Sequence, residues 1–320
     1  MILYPVLLIV FFGLMLVYFR IADRYNIIDK PNERSSHTEV TIRGGGVIFP
    51  ISCLLAACFY PQYLLPAIGA VAIGTISFID DRITLSSKIR LVVHFFSVTL
   101  MFIALNAFAL PLPWVVTLYI FAIGVINVYN FMDGINGITG AYTLVVLAGL
   151  QYVNLYVVSF VEPDLIWFPM LASVAFLYFN FRKKAKCFAG DVGSITIAFW
   201  IVFLLARLII KTQDLTYILF LAVYGIDSVL TIIHRLILKQ NIFKAHRLHF
   251  YQLLANERRI PHLMVSSLYA IVQIAIIAFV ITCDQLSPAG KFAVVLLPLV
   301  ILYIVIKSRL MLAVKKVQSV

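Results

Sequence analysis

Charge is scarce in this sequence. Only 12% of its 320 residues are Asp, Glu, Lys or Arg, against roughly 25% in a soluble domain. Hydrophobic residues make up 63%, and the mean hydropathy is +1.03. A chain this apolar could not be kept soluble, which leaves a polytopic membrane protein as its class. Acids are scarcer still, 14 against 25 basic residues, for a formal net charge of +11. Cysteine is nearly missing: Cys53, Cys58, Cys187 and Cys283 form no C-x-x-C pair. Neither a disulfide framework nor a zinc site is indicated, and the four read as small hydrophobes. Linkers, low-complexity tracts and clear internal repeats are absent too, so one membrane-embedded domain over 1–320 is expected. The opening run "MILYPVLLIVFFGLMLVYF" has no basic residue ahead of it and no small-residue cleavage signal behind it. It reads as a retained first span, not a signal peptide.

What is there is apolar length. A helix crossing ~30 Å of hydrocarbon needs ~20 residues. Runs of about that size lie near 2–19, 45–60, 62–79, 91–110, 113–131, 138–160, 165–181, 194–210, 215–233, 263–283 and 291–306. The expected fold is therefore all-α, with about eleven transmembrane helices. Basic residues orient it. With the N-terminus outside, the segments 20–44, 80–90, 132–137, 182–193, 234–262 and 307–320 are cytoplasmic and hold 22 of the 25 Lys and Arg. Counting Asp227 of the ninth run with the nine acids in these segments, ten of the 14 acids fall on that side, leaving a surplus of twelve positive charges there. Such a face attracts anionic headgroups and phosphorylated substrates, although topology signalling alone also concentrates Lys and Arg there.

Polar residues interrupt the apolar runs at particular places. In "NVYNFMDGINGITG", Asn127, Asn130 and Asp133 stand at i, i+3 and i+6, which puts them on one helix face. Gly134, Gly137 and Gly140 follow and let the backbone bend or approach a ligand. Interhelical polar glue is the plain alternative, but polar side chains at membrane depth are by default functional candidates. "SFIDDRITLSSKIR" sets Asp80 and Asp81 at the end of the third span, where two acids oppose the helix dipole. Only one of them need face a site, and Lys88 lies close behind as a binder of anions. In "KKAKCFAGDVGSITIAF", Asp191 stands in a Gly-flanked turn, with Ser194 able to cap the next helix. A carboxylate so placed suits a hard divalent ion whose shell phosphates complete, or simply starts a helix.

The longest cytoplasmic loop, "DSVLTIIHRLILKQNIFKAHRLHFYQLLANERR", carries His246, Arg247 and His249. H-x-x-H alone is a weak metal signal, and a basic, imidazole-rich loop better matches diphosphate. A loop that binds lipid headgroups is the plainer reading. His94 and His262 have no partner in the pattern and read as packing or interface residues. Asp227, inside the ninth run, needs a partner such as His234 or a donor from another span.

Taken together, "DKPNERSSH…RGGG", "DDR", "NxxNFMDG", "GDVGS" and "HRLHFYQ", in this order, resemble the polyprenyl-phosphate N-acetylhexosamine-1-phosphate transferases (glycosyltransferase family 4) along essentially the whole chain. The resemblance implies a UDP-linked sugar-1-phosphate moved onto undecaprenyl phosphate, with release of UMP and a requirement for Mg²⁺, for which Mn²⁺ could substitute. It implies that Asp80 and Asp81 are the family's acid pair, Asp133 its Asn-rich-motif acid and Asp191 its Mg²⁺ ligand. Asn127, Asn130, Lys88, His246, Arg247 and His249 are the expected substrate contacts. Many members carry a second acid where this chain has Asn136, so that carboxylate is not essential here. "HRLHFYQ" in place of three His looks like the surface-polysaccharide branch, including enzymes that begin O-antigen on 6-deoxy sugars such as FucNAc or QuiNAc. The implied location is the cytoplasmic face of a bacterial inner membrane. Nothing in the pattern indicates nucleic acid, and a homodimer stays open. The rival classes are a transporter of an anionic or lipid-linked substrate and a lipid-binding scaffold without turnover; a transporter's mark would be ionisable groups at mid-membrane and broken helices.

Overall fold

A computed structural model of the chain describes residues 2–29, 40–241 and 247–318. Its helices are α1 (Leu3–Arg24), α2 (Ile48–Phe59), α3 (Leu64–Ile83), α4 (Ser87–Ala104), α5 (Leu112–Phe131) and α6 (Ile138–Tyr156). They continue with α7 (Asp164–Asn180), α8 (Gly190–Thr212), α9 (Ala222–Ile237), the single turn α10 (Phe250–Gln252), α11 (His262–Thr282) and α12 (Pro288–Gln318). Two short strands, β1 (Ile28–Asp29) and β2 (Thr41–Ile42), pair antiparallel with Ile28 opposite Ile42. The chain is thus an all-α, multi-pass membrane protein. Among the described residues nine helices are long and apolar enough to cross a bilayer. Two of the eleven expected runs instead form shorter apolar helices, Gly45–Phe59 and Asp164–Asn180.

Local chemistry explains the boundaries. α2 stops at Tyr60 because the next residue is Pro61, which disfavours helical geometry before it; Tyr60 sits at φ −132°, ψ 80°. "YPQY" is then one 3₁₀ turn leading into α3. Ser86 accepts the Ile89 N–H and starts α4 several residues earlier than the apolar run begins. α8 likewise starts at Gly190, not 194, so Ser194 does not cap it: its hydroxyl lies inside the first turns and donates to Asn130 Oδ1 at 2.7 Å.

α8 is the axis of the bundle. It is apolar all round, its buried stretch runs from Val192 to Leu205, and it packs on α3 and α5, as expected of a fully enclosed helix. Large apolar side chains of the outer helices, among them Leu16, Val92, Phe96, Ile120, Ile271 and Ile301, are exposed, which lipid accommodates and water would not. Inside, the Tyr142 hydroxyl donates to Gln273 Oε1 at 2.6 Å, and the Tyr142 ring stacks on Tyr224 at 3.6 Å. These contacts lock α6, α9 and α11 together.

The bundle has two chemically different ends. At one, Tyr4 and Tyr60 both donate to Asp164, at 2.7 and 2.8 Å, and Gln62 donates to Glu162 at 3.0 Å. At the other, the β1–β2 hairpin, the end of α3, the α5–α6 turn, the α7–α8 loop and α10 meet around a cleft.

Candidate active site

The cleft is built on the triple glycine. β2 delivers Arg43 and then Gly44, whose φ of +78° suits glycine. The next residues lie against the approach to α8: Gly45 N–H donates to Phe188 O at 2.8 Å and Gly46 N–H to Ala189 O at 3.0 Å. Phe188 N–H returns a bond to Ile42 O at 2.8 Å. Gly46 and Gly193 touch backbone to backbone, so a Cβ on Gly46 would overlap the Cα of Gly193. That contact fixes the first turn of α8, and Asp191 with it.

Asp81 ties this junction to α3. Its Oδ2 accepts the Asp191 N–H at 2.9 Å, and its Oδ1 lies 2.6 Å from the Arg43 guanidinium. The same guanidinium reaches to 3.9 Å from Asp191 Oδ1. Asp133, just beyond α5, lines the cleft with Asn130. Burial, with the charge of Asp191 adding to it, pushes the Asp133 carboxyl up to about 6. The cavity has a volume of about 250 Å³. Arg43, Asp133 and Asp191 lie along it with Asp29, and Gly134–Asn136, Asn180, Phe188, Gln252 and His262 line the rest.

The other expected site residues divide. Asp80 turns away from Asp81 and takes Arg90 at 3.0 Å and the Leu85 N–H at 2.6 Å, so of the pair it is Asp81 that joins the Asp191 cluster. Asn127 does not share a working face with Asn130 and Asp133. It donates to Ile123 O, four residues back, and borders an apolar groove. Lys88 is exposed on α4 and is not among the cleft residues. His246 lies outside the described residues, as does the Ser-Ser-His run between β1 and β2 in the sequence. His249 is buried, its Nδ1 3.5 Å from Asp227 Oδ1, and Arg247 lies just before it.

Asp227 is not held by His234. It accepts the Phe250 and Tyr251 N–H groups, at 2.7 and 3.2 Å, and the Tyr269 hydroxyl at 2.8 Å. This acid therefore anchors the start of α10, and Tyr251 in turn donates to Phe131 O at 2.9 Å at the end of α5. The carboxylate deepest in the bundle is occupied by structure, unlike the free mid-membrane charge a carrier would display. His262 is no packing residue either: it lines the cleft, with its Nδ1 3.5 Å from the Asn136 N–H.

Sequence reading passed over Arg43, Phe188, Gln252 and His262 as site residues. Arg43 stands directly before the triple glycine and Gln252 closes "HRLHFYQ", so the signal for both was their place in a motif. Nothing local marked His262. Cys187, beside the cleft, is inert because burial pushes its thiol well up.

Asp133 and Asp191 offer carboxylate oxygens to the cleft, and Asn130 an amide. No three His, Cys, Asp or Glu among the described residues could hold an ion unaided. Hard oxygen donors too few to chelate alone suit Mg²⁺, which keeps waters and completes its shell with substrate phosphates.

The sequence that builds this cleft is similar to those of known proteins. Residues 63–209 match the model of glycosyl transferase family 4. Over that stretch the chain resembles this family. The matched stretch of glycosyl transferase family 4 runs from the start of α3 through most of α8 and so contains Asp81, Asn130, Asp133 and Asp191. A relative in Bacillus subtilis (strain 168), named a probable undecaprenyl-phosphate N-acetylglucosaminyl 1-phosphate transferase, is 25% identical over 309 residues, 90% of this chain and 84% of that one. The undecaprenyl-phosphate alpha-N-acetylglucosaminyl 1-phosphate transferases of Salmonella typhi and Yersinia pestis are 28% and 27% identical, over 73% of this chain and 70% and 71% of theirs.

Proposed function

We propose that this membrane glycosyl transferase moves an N-acetylhexosamine 1-phosphate from a UDP-sugar to undecaprenyl phosphate, releasing UMP, as the first step of a surface polysaccharide such as O-antigen. The observation that carries this reading is the meeting of Arg43, Asp133 and Asp191, from distant parts of the chain, in one cleft at one end of the bundle, with Asp81 buried behind it and tied to both Arg43 and Asp191. The names of the relatives support the same chemistry. The basic segments predicted to be cytoplasmic flank this end, which supports a cytoplasmic cleft in a bacterial inner membrane, with the N-terminus outside. The single unit 1–320 then works as one domain.

An apolar groove of about 640 Å³ between α5, α9 and α12 supports the lipid side of the reaction. Its walls include Phe121, Val125, Val128, Phe131, Val229 and Leu296. A polyprenyl chain lying there would place its phosphate near Asn130 and Asp133. In the transfer, an oxygen of the lipid phosphate forms a bond to the sugar-bearing phosphorus. The bond from that phosphorus to the UMP oxygen breaks, and UMP leaves with the electron pair. Mg²⁺, held by Asp191 with Asn130, would neutralise the diphosphate. A phosphomonoester's second pKa is ~6, so much of the acceptor is already dianionic at neutral pH. Asp133, whose pKa is raised toward that of the acceptor, is the group suited to take the remaining proton. Asp80 and Asp81 do not line the cleft and each faces an Arg guanidinium, so neither is placed to take it.

Purified protein with undecaprenyl phosphate, Mg²⁺ and a panel of UDP-GlcNAc, UDP-FucNAc and UDP-QuiNAc should release UMP with at least one donor, and Asp191→Asn should reduce that release by orders of magnitude while still inserting and folding. No UMP from any donor would remove the reading. Exchange of labelled UMP into the donor without lipid acceptor would replace direct attack by a two-step route.

A further inference from the structure

Among the described residues lining the cleft, Arg43 is the one Lys or Arg, and around it stand Asp81, Asp133 and Asp191. Its backbone is pinned. Arg43 N–H donates to Ile27 O at 3.1 Å, the Tyr18 hydroxyl donates to Arg43 O at 2.6 Å, and the glycines that follow are bonded to Phe188 and Ala189. Its guanidinium rests on Asp81, whose side chain is only 4% exposed, while the Arg43 side chain is 34% exposed. A guanidinium has five N–H donors in a planar fork. With one edge on a buried carboxylate, the remaining donors are available to the cleft.

A counter-charge needed only to neutralise acids would gain nothing from lining an open cavity. A diphosphate entering here would meet the carboxylates of Asp29, Asp133 and Asp191, and charge-assisted donors are what such an anion requires. Resting on the function proposed above, we infer that Arg43 is a further substrate-binding residue. Its guanidinium, seated on Asp81, donates to the diphosphate of the nucleotide sugar. Asp81 is the positioning residue that aims it, and by accepting the Asp191 N–H it holds donor site and metal site at a fixed separation.

Two titrations on the full-length protein in nanodiscs test this. Mn²⁺ alone, followed by electron paramagnetic resonance, reads the carboxylates; UDP, titrated calorimetrically at saturating Mn²⁺, reads the diphosphate site. Arg43→Gln should weaken UDP by roughly ten- to hundredfold, the size of lost charge-assisted bonds. Arg43→Lys, which keeps the charge and loses the fork, should fall in between. Mn²⁺ should bind both variants as tightly as wild type or more tightly, because a neighbouring positive charge is removed or kept. UDP affinity within twofold of wild type in Arg43→Gln would overturn the inference. So would joint loss of UDP and Mn²⁺ binding in both variants, which would make Arg43 a structural tie. A wild-type protein that binds neither probe would instead bring down the proposed function, and the inference with it.

Discussion

Asp80 and Asp81 are neighbours in sequence and about 100° apart around α3, and that angle alone divides their work. One turns to Arg90 and the exposed start of α4; the other turns inward to Arg43 and the Asp191 N–H. Asp133 differs again: burial, with the charge of Asp191 adding to it, outweighs the pull of the Thr139 hydroxyl and of Arg43. Its carboxyl titrates at about 6 instead of 3.8, so the folded protein holds this proton more tightly than the unfolded chain does. The stability it lends is complete below pH 3.8 and lost as pH rises through about 6. In EDTA, the thermal unfolding midpoint of the wild type should therefore decline across that window more steeply than that of Asp133→Asn. Parallel slopes in a calorimetric pH series would show that Asp133 is not the titrating group. "NxxNFMDG" identified Asp133 as a candidate, but its burial was not legible there, because the residues that bury it come from other helices.

Elements set the site through two features, a backbone contact and an open groove. At the first, the RGGG loop and the start of α8 approach so closely that no side chain fits at Gly46. Overpacking typically costs about 1–3 kcal/mol, and here the obstacle is backbone, which cannot rotate aside. Gly46→Ala should lower the unfolding midpoint and abolish turnover together, whereas Gly13→Ala, where a Cβ meets nothing within 4 Å, should change neither. At the second, Gly124 of α5 and Gly225 of α9 line the apolar groove, and a Cβ at either would also project into open space. Gly225→Leu should raise KM for undecaprenyl phosphate severalfold and leave KM for the UDP-sugar unchanged, the pattern of lost binding without lost chemistry. Equal effects on both substrates would place the lipid elsewhere. The triple glycine was visible in the sequence as a structured turn; its partner, Gly193, was visible only as part of a possible helix start.

For the whole molecule, the two ends of the bundle carry opposite chemistry. The Asp164 end is closed by tyrosine hydroxyls, while the cleft end is rimmed by the basic segments. In a chain with its four cysteines replaced by Ala, a membrane-impermeant maleimide applied to intact cells should label Gln62→Cys, in the turn before α3, and spare Lys183→Cys, in the loop before α8. Reversed labelling would invert the proposed orientation and put the cleft on the wrong side for a nucleotide donor.

Composition and periodicity by themselves determined that this is an all-helical membrane protein and where its apolar runs fall. Those properties follow from the bilayer as a solvent, which acts on each segment independently: every span must bury its own backbone polar groups and present enough apolar surface. Which of the adjacent acids turns inward, that Asn127 borders a lipid-facing groove, that Asp227 anchors α10 and that Arg43 and His262 reach the cleft were decided only in three dimensions. Each depends on helix rotation and on contacts between residues up to 148 positions apart in the chain, and those are fixed by packing between segments, not by the pattern within any one of them.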